Sequence, residues 1–431
     1  MCSCDWSSDV CSSDLDEAGD SIFLFPSCAI NDSLSDYKLL EGTFLVEEPY
    51  CRASQKAKKE KGGRSCPHHD PIVDLVRREI TEEKQKLYSM LSSLKQPIIL
   101  PLLGKREREK AVIECPISFS ESCSTLASMS SKFGLLEDRE ELILNNGDSL
   151  ELDQLIGTVC RSSQGKEILL SLGGHRFLLP PQSTFLASDY RMLQPLIQHG
   201  EHLLPICREC TNSLSAENVG GFQCIVMDPP WENKSAQRKR EYGTFYMKRL
   251  LQLPMVSLLP KGTESIGFVG IWVTNDPKIT SFVIHKLLKH WNLSCVTKWH
   301  WLKCTTTGEP VCPLDSSHRK PYESLLLCLH NPGNLSLPEH SLLSPKVIFC
   351  CPSPSQHSRK PSLQPMLDQL LVAVGYPLPQ QRRLELFARN ITSGWTSWGN
   401  EVLKHQYIDY FTPLENVGPN WPPSQVAETF L

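Results

Sequence analysis

Six apolar runs in the second half of the chain constrain its fold more than any other feature. They are "QCIVM", "IGFVGIWV", "LSCVTKWHWLK", "SLLLCLH", "KVIFCC" and "RRLELFA". They are continuous, the pattern of strands buried on both faces. Helical stretches lie between several of them. "DPKITSFVIHKLLKHW" opens with Asp276 and Pro277 and carries Ile279, Val283 and Leu287 at helical spacing. "SLQPMLDQLLVAVG" ends in a glycine able to cap a helix. Strands alternating with helices predict an α/β fold with a mostly parallel sheet. In such sheets the ligand sits beyond the carboxyl ends of the strands.

The 431 residues leave room for two or three domains. Residues 1–15 are set aside as disordered. Their "DWSSDVCSSDL" looks like a translated sequencing adapter, so the natural start is expected to be missing or replaced. Residues 16–96 form an N-terminal region. Its "KAKKEKGGR" reads as a solvated linker, with a nuclear-import or nucleic-acid patch as the alternative. Its "HDPIVDLVRREITEEKQKLYSMLSSL" reads as one long helix. Asp70 caps it, Pro71 sits in its first turn, and Ile72, Val76, Ile80 and Leu87 form an apolar stripe. Residues 97–166 read as a small mixed middle domain. Residues 167–415 carry the parallel sheet and open with "EILLSLGGHRFLLP", two strands about a Gly-Gly turn. Residues 416–431 are a tail.

The net charge of −4 excludes a protein that coats nucleic acid by bulk charge; an anionic polymer must meet a local basic patch. The apolar runs are too short to cross a bilayer, so no membrane partner is expected. The 18 cysteines are scattered without framework spacing, and no secretory signal is evident. Reduced thiols, and the nucleus or cytosol, are the expectation.

"QCIVMDPPWENK" ends one buried run in Asp228-Pro229-Pro230-Trp231, which the crevice rule places at the ligand. The prolines fix φ and donate no hydrogen bond, so their carbonyls are free to accept. An Asp carboxylate and a Pro carbonyl make two acceptors suited to an amino group. Trp231 offers a face for a planar ring. A planar ring with an exocyclic amine is a nucleobase, adenine fitting best. Two acceptors on its hydrogens free the nitrogen lone pair and stabilise the positive charge of attack, with proton loss to Asp228 or solvent afterwards. The matching electrophile is the sulfonium methyl of S-adenosylmethionine. The bland alternative is a Pro-terminated turn with a core Trp.

Asp228-Pro229-Pro230-Trp231 resembles the catalytic motif of the MT-A70 family of adenine-N6 methyltransferases. The likeness runs on through "WVTNDP", "WHWLK", "PLDSSHRKPYESL", "HSRKP", "LELFARN" and "GWTSWGNEVLKHQYIDYF". It covers roughly residues 167–412 and is strongest to the methyltransferase-like protein 4 branch. The resemblance implies a Rossmann-like methyltransferase sheet with helices on both faces and permuted motif order. It also implies cofactor contacts: Lys360 to the methionine carboxylate, and Glu385 and Arg389 around that lysine and the ribose. Asn400 and Glu401 match ribose- and adenine-side positions, and Asp189 and Tyr190 the adenine edge. The bland alternatives are a surface lysine and a Glu385–Arg389 pair bridging a strand. The usual glycine-rich loop is absent before the catalytic motif; its counterpart is "LELFARN", with Ala388 where a glycine is expected. The stretch from 197 to 221 is long for the family.

Beyond the motif, Asn233, Lys234, Arg238, Lys239, Arg240, Lys248 and Arg249 are interleaved with Tyr242, Phe245 and Tyr246. This reads as a nucleic-acid cradle, against a solvated loop. In "WHWLK", Trp301 or Lys303 shapes the base pocket while one tryptophan serves the core. Cys207 and Cys210, and Cys66 with His68 and His69, lack a second pair at zinc spacing, so no metal is expected. For this branch the resemblance points to RNA, including 2′-O-methyladenosine in small nuclear RNA such as U2, with DNA adenine second. The chain is expected to act as a monomer, a protein partner being the alternative. The rival readings are a catalytically inactive nucleic-acid-binding partner subunit and a small-molecule or protein amine methyltransferase.

Overall fold

A computed structural model describes residues 21–24, 37–39, 115–133, 140–162, 165–202, 221–231, 247–261, 265–305, 310–314, 320–330, 342–350, 359–376 and 381–413. The expected helix from Asp70, the linker, the Cys/His sets, the tail and Asn233–Arg240 of the basic loop lie outside the described residues. Sixteen strands are present among them: β1 (Ser21–Leu24), β2 (Tyr37–Leu39), β3 (Leu142–Leu144), β4 (Ser149–Leu150), β5 (Val159–Ser162), β6 (Ile168–Leu172), β7 (His175–Leu179), β8 (Thr184–Ala187), β9 (Cys224–Met227), β10 (Gly267–Val273), β11 (Leu293–Lys303), β12 (Tyr322–His330), β13 (Lys346–Cys350), β14 (Arg383–Leu386), β15 (Trp395–Gly399) and β16 (Phe411–Pro413). The main helices are α1 (Phe119–Phe133), α2 (Gln194–His202), α3 (Pro277–Phe282) and α4 (Gln364–Ala373).

Eleven strands form one sheet in the order β1-β13-β11-β12-β10-β9-β14-β15-β8-β5-β3. All six apolar runs are strands of it. Every pairing is parallel except β11–β12, β12–β10 and β8–β5. Between β1 and β8 only β12 therefore runs backwards. β3 and β5, from the stretch expected to form a small mixed middle domain, stand at one end of this sheet. The Gly-Gly hairpin forms as expected, with Gly173 and Gly174 at positive φ, but β6 and β7 pair with β4 in a separate three-stranded sheet.

Both faces of the sheet are covered, as continuous apolar strands require. Ile225, Met227, Val269, Ile271, Leu326 and Leu384 pack on one face against Ile279, Val283, Leu287 and Trp291 of the α3 run. Cys224, Val226, Phe268, Trp272, Leu325 and Leu327 pack on the other against Met366, Leu367, Leu370 and Leu371 of α4. Alternate residues of one strand thus feed opposite cores. Asp276 caps α3 by accepting a hydrogen bond from Lys278 N at 2.9 Å, with Pro277 in the first turn. The helix runs on through a π turn (Val283–Leu287) and a last turn (Leu288–His290). At the end of α4, Gly375 (φ 92°) donates to Val372 O and Tyr376 to Leu371 O, closing a Schellman motif. No described helix is long and apolar enough to cross a membrane.

Two glycines at positive φ separate strain from crowding. A Cβ on Gly375 meets nothing within 4 Å, whereas one on Gly221 (φ 78°) meets the Leu259 carbonyl and Pro260 N. Gly375→Ala should cost about 1–2 kcal/mol of left-handed strain. Gly221→Ala should cost distinctly more, because backbone must also move. Urea unfolding of both variants decides this; equal losses would show that the contact with Leu259 does not constrain the fold.

Candidate active site

The sheet order gathers distant residues at one edge. The carboxyl ends of β8, β15, β14, β9, β10 and β11 lie side by side in that order, interrupted between β10 and β11 by reversed β12. Asp189 and Tyr190 follow β8, Asn400 and Glu401 follow β15, and Arg389 follows β14. Asp228 follows β9, and Trp301 and Lys303 end β11. Because β12 is reversed, its first residues reach the same edge, and Glu323 arrives there beside Trp301. Lys360 comes from the segment leading into α4.

Lys360 joins these parts. Its Nζ donates to Asp228 Oδ2 at 2.7 Å and lies 3.1 Å from Glu323 Oε2. Lys303 Nζ bonds the other Glu323 oxygen. Asp228, Glu323 and Lys360 are half-buried. Burial pushes the Asp228 carboxyl above its ordinary range, and Lys360 opposes that rise. For Glu323, burial is outweighed by Lys360 and Lys303, which hold its carboxyl at about 2. Burial pulls the Lys360 ammonium down, but Asp228 and Glu323 together keep it above the ordinary lysine value. The ammonium also lies 5.8 Å from the centre of the Trp272 ring.

Asp228-Pro229-Pro230-Trp231 is fixed by its own bonds. Trp231 N donates to Pro229 O at 2.7 Å, closing a tight turn, and Trp231 Nε1 donates to Trp272 O at 2.8 Å. One Pro229 lone pair is therefore spent inside the motif. Trp231 is 8% exposed and belongs to the core on the α3 face. Trp301 is buried, donates to Cys350 O at 3.0 Å and packs edge-on against Trp272 at 6.1 Å. Lys303 Nζ lies 4.8 Å above its ring.

On the other flank, Asn400 Nδ2 donates to Ser120 Oγ of α1 at 2.9 Å. Arg389 Nε pairs with Glu401 Oε2 at 3.3 Å, so its carboxylate partner is on the β15 side rather than Glu385. Glu401 also binds Lys404 at 2.9 Å. Asp189 accepts from Arg191 Nε at 2.7 Å, and the guanidiniums of Arg191 and Arg249 lie 5.9 Å and 5.4 Å from the Tyr190 ring centre. Glu385 lies inside β14, two register positions from the Asp228 end of β9. Burial, then the Asp228 charge, push its carboxyl up to about 7 against Arg359 and Lys360.

The close backbone approach that a glycine-rich loop provides is built differently here. Phe387 has φ 62°, an uncommon conformation for an aromatic residue. Ala388 N donates to Trp398 O at 2.8 Å. A Cβ on Gly399 would meet the Ala388 carbonyl. The glycine missing at Ala388 stands across the pairing, on β15.

Three contributors escaped the sequence reading. Glu323 lies inside the quoted "PYESL", a lone acid at the start of a buried strand, and that was its signal. Arg359 adjoins Lys360 and is buried, which lowers its guanidinium to about 10. Ser120 meets Asn400 across 280 residues; no local pattern announces it.

Comparison with known proteins matches the MT-A70 family over residues 222–401. The N(6)-adenine-specific methyltransferase METTL4 of Homo sapiens is 34% identical over 337 residues, covering 75% of this chain and 64% of that protein. The chain thus spans a little under two thirds of the human relative. The Mus musculus METTL4 is 33% identical over 354 residues, covering 79% and 67%. The N6-methyladenosine RNA methyltransferase MTA1 of Pyricularia oryzae is 36% identical over 227 residues, covering 51% and 56%.

The two edge carboxyls give stability opposite pH dependences. Glu385 is raised from its ordinary 4.5 to about 7, so the folded state holds that proton more tightly. Its contribution is full below about pH 4.5 and lost as pH rises through 7. Glu323, lowered to about 2, contributes above about pH 4.5 and loses that contribution as pH falls toward 2. Glu385→Gln should therefore flatten the loss of stability between about pH 4.5 and 7. Urea melts across that window test this; an unchanged slope would mean that Glu385 does not titrate there.

Proposed function

The chain belongs to the MT-A70 family, and on that premise we propose that it is an N6-adenine methyltransferase acting on nucleic acid. The observation that carries the proposal is Asp228 at the carboxyl end of a central strand, bonded to Lys360 and followed by a turn that Trp231 locks. The order of strands supports a Rossmann-like methyltransferase sheet whose motif order is permuted, Asp228 preceding the β14–β15 cradle.

The donor set fits S-adenosylmethionine. Asp228, Glu323 and Glu385 crowd one edge, and burial together with the Asp228 charge raises Glu385, a cost that a sulfonium nearby would lessen. Arg389, Asn400, Glu401, Asp189 and Tyr190 supply donors, acceptors and a ring along the β8–β15–β14 flank, where they would hold the ribose and adenine. Lys360 would hold the carboxylate by exchanging part of its bonding to Asp228 and Glu323. The bound cofactor supplies an electrophilic methyl group. Toward the substrate, Asp228 accepts a hydrogen bond from the adenine amine and takes up its proton, a task eased by the raised carboxyl. Trp231 and Trp301 are fixed walls, and Lys303 stands at the mouth of the β11 flank. Holding the amine in place and meeting its developing charge accounts for catalysis.

RNA is the favoured substrate, in keeping with the relative from Pyricularia oryzae. The finer reading is 2′-O-methyladenosine in small nuclear RNA such as U2, which would put the protein in the nucleus; DNA adenine is the second substrate. An inactive partner subunit is disfavoured because Asp228 and Lys360 are both present and in contact. Purified protein with labelled cofactor, offered RNA oligonucleotides with and without 2′-O-methylation and matched DNA, tests substrate choice. Transfer to none of them overturns the reading.

Asp228→Ala should lower turnover by about 10²–10³ while the protein remains folded, since the side chain sits at a strand end outside the cores. Near-normal turnover by a variant with unchanged melting would sink the mechanism. Changing Arg238, Lys239 and Arg240 together to Ala should reduce the slope of log K against log salt by roughly two for a single strand. Salt titration of oligonucleotide binding decides; equal slopes would move the nucleic-acid groove elsewhere.

A further inference from the structure

β11 and β12 bring two thiols together away from the edge that holds Asp228. Cys295, near the start of β11, and Cys328, near the end of β12, are direct partners in the antiparallel register. Directly opposite residues point to the same face of a sheet. Their Cα atoms lie about 4.5–5.5 Å apart, inside the window of about 4.4–6.8 Å that a disulfide needs. The Cys295 thiol donates to Thr297 O at 3.6 Å and the Cys328 thiol to Leu326 O at 3.8 Å. Cys295 is exposed and Cys328 is buried, so one sulfur meets solvent while the other waits behind it. A register shift follows Cys295 before Thr297, a bulge that locally frees the strand from strict pairing.

We propose that Cys295 and Cys328 form a peroxide-responsive dithiol site that closes reversibly to a disulfide. The asymmetry of the pair sets the order of events. The neighbouring Cys328 thiol, assisted by Lys298 and opposed by burial, holds Cys295 below the ordinary thiol range. Cys328 is pushed well above the ordinary thiol range by the neighbouring Cys295 and by burial. Cys295 is therefore the attacking thiolate and Cys328 the resolving thiol. The Cys295 thiolate displaces hydroxide from hydrogen peroxide, giving sulfenic acid. Cys328 sulfur then attacks that sulfur, forming the S–S bond and losing water with the Cys328 proton. Two thiols and one peroxide yield one disulfide and two waters; a thiol reductant reverses the step. The closed bond ties β11 to β12 and encloses Trp301, Lys303 and Glu323 in its loop. It therefore stiffens the strand pair that carries one flank of the site.

The experiment treats the full chain with a small excess of hydrogen peroxide, alkylates the remaining thiols and maps the peptides by mass. A peptide pair joined through Cys295 and Cys328, two hydrogens lighter than the separate peptides and released by dithiothreitol, is the expected result. The oxidised protein should melt a few degrees higher. Cys295→Ser should leave Cys328 reduced under the same treatment. Cys328→Ser should leave a sulfenic acid at Cys295, trapped by dimedone. If either variant fails to fold, the peptide map of the unaltered protein decides alone. Both cysteines recovered alkylated, Cys295 carried to sulfinic acid without a link, or either residue linked to another cysteine would overturn the proposal.

Discussion

Lys360 carries the charge on which the other ionisation states at the sheet edge depend. Asp228 and Glu323 are both drawn away from water, and a carboxylate so placed either takes a proton or finds a cation. Lys360 meets both, and Lys303 meets Glu323 from the far side. The arrangement is asymmetric. Glu323 touches two cations and drops to about 2, whereas Asp228 touches only Lys360, with Arg389 acting from farther away, and stays raised. Glu385 is raised as well, to about 7, first by burial and then by the Asp228 charge. One edge thus holds a firmly ionised carboxylate, one poised to accept a proton, and one near half-protonation at neutral pH. Removing Lys360 would leave two half-buried carboxylates short of a cation. The lysine is therefore part of the fold as well as of the site.

That cluster exists because of strand direction. Asp228, Glu323 and Lys360 are far apart in the chain, and Glu323 lies at the beginning of its strand while Asp228 lies beyond the end of its own. They meet because β12 is the one reversed strand between β1 and β8. A parallel β12 would carry Glu323 to the opposite edge and leave Lys303 and Lys360 with a single carboxylate between them. On the other flank, β8, β15 and β14 deliver Asp189, Asn400 and Arg389 in order. The edge has a row of polar groups on one side of Asp228, and Trp301 with Lys303 on the other.

The region before the MT-A70 match contributes directly to this edge. Ser120 of α1 accepts from Asn400, and Arg191 reaches Ser124 O at 3.4 Å while it holds Asp189. Cys123 packs in the same helix, its thiol bonded to Asn400 O and raised to about 12 by burial. β3 and β5 meanwhile extend the main sheet. The segment 115–162 is thus joined to the main sheet by strand pairing and by contacts with the residues at its edge.

The sequence by itself determined six central strands, several helices and the place of the Asp-Pro-Pro-Trp motif. Short continuous apolar runs, rich in β-branched and aromatic residues and bounded by turns, read as strands buried on both faces, and Asp276-Pro277 and Gly375 mark helix ends through local backbone chemistry that needs no distant partner. β8 and β15 were harder, because "TFLA" and "WTSWG" are short and mixed, and only pairing between neighbours makes them strands. Asp228, Lys360 and Asn400 were legible as residue types within motifs, but their partners were not. Which carboxylate meets Lys360, that Arg389 takes Glu401 rather than Glu385, and that Gly399 supplies the space Ala388 lacks depend on strand order and register. The same holds for the thiol pair at Cys295 and Cys328. These are through-space relations between residues far apart in the chain, set by which edges hydrogen-bond and in which direction, and one-dimensional spacing carries no record of them.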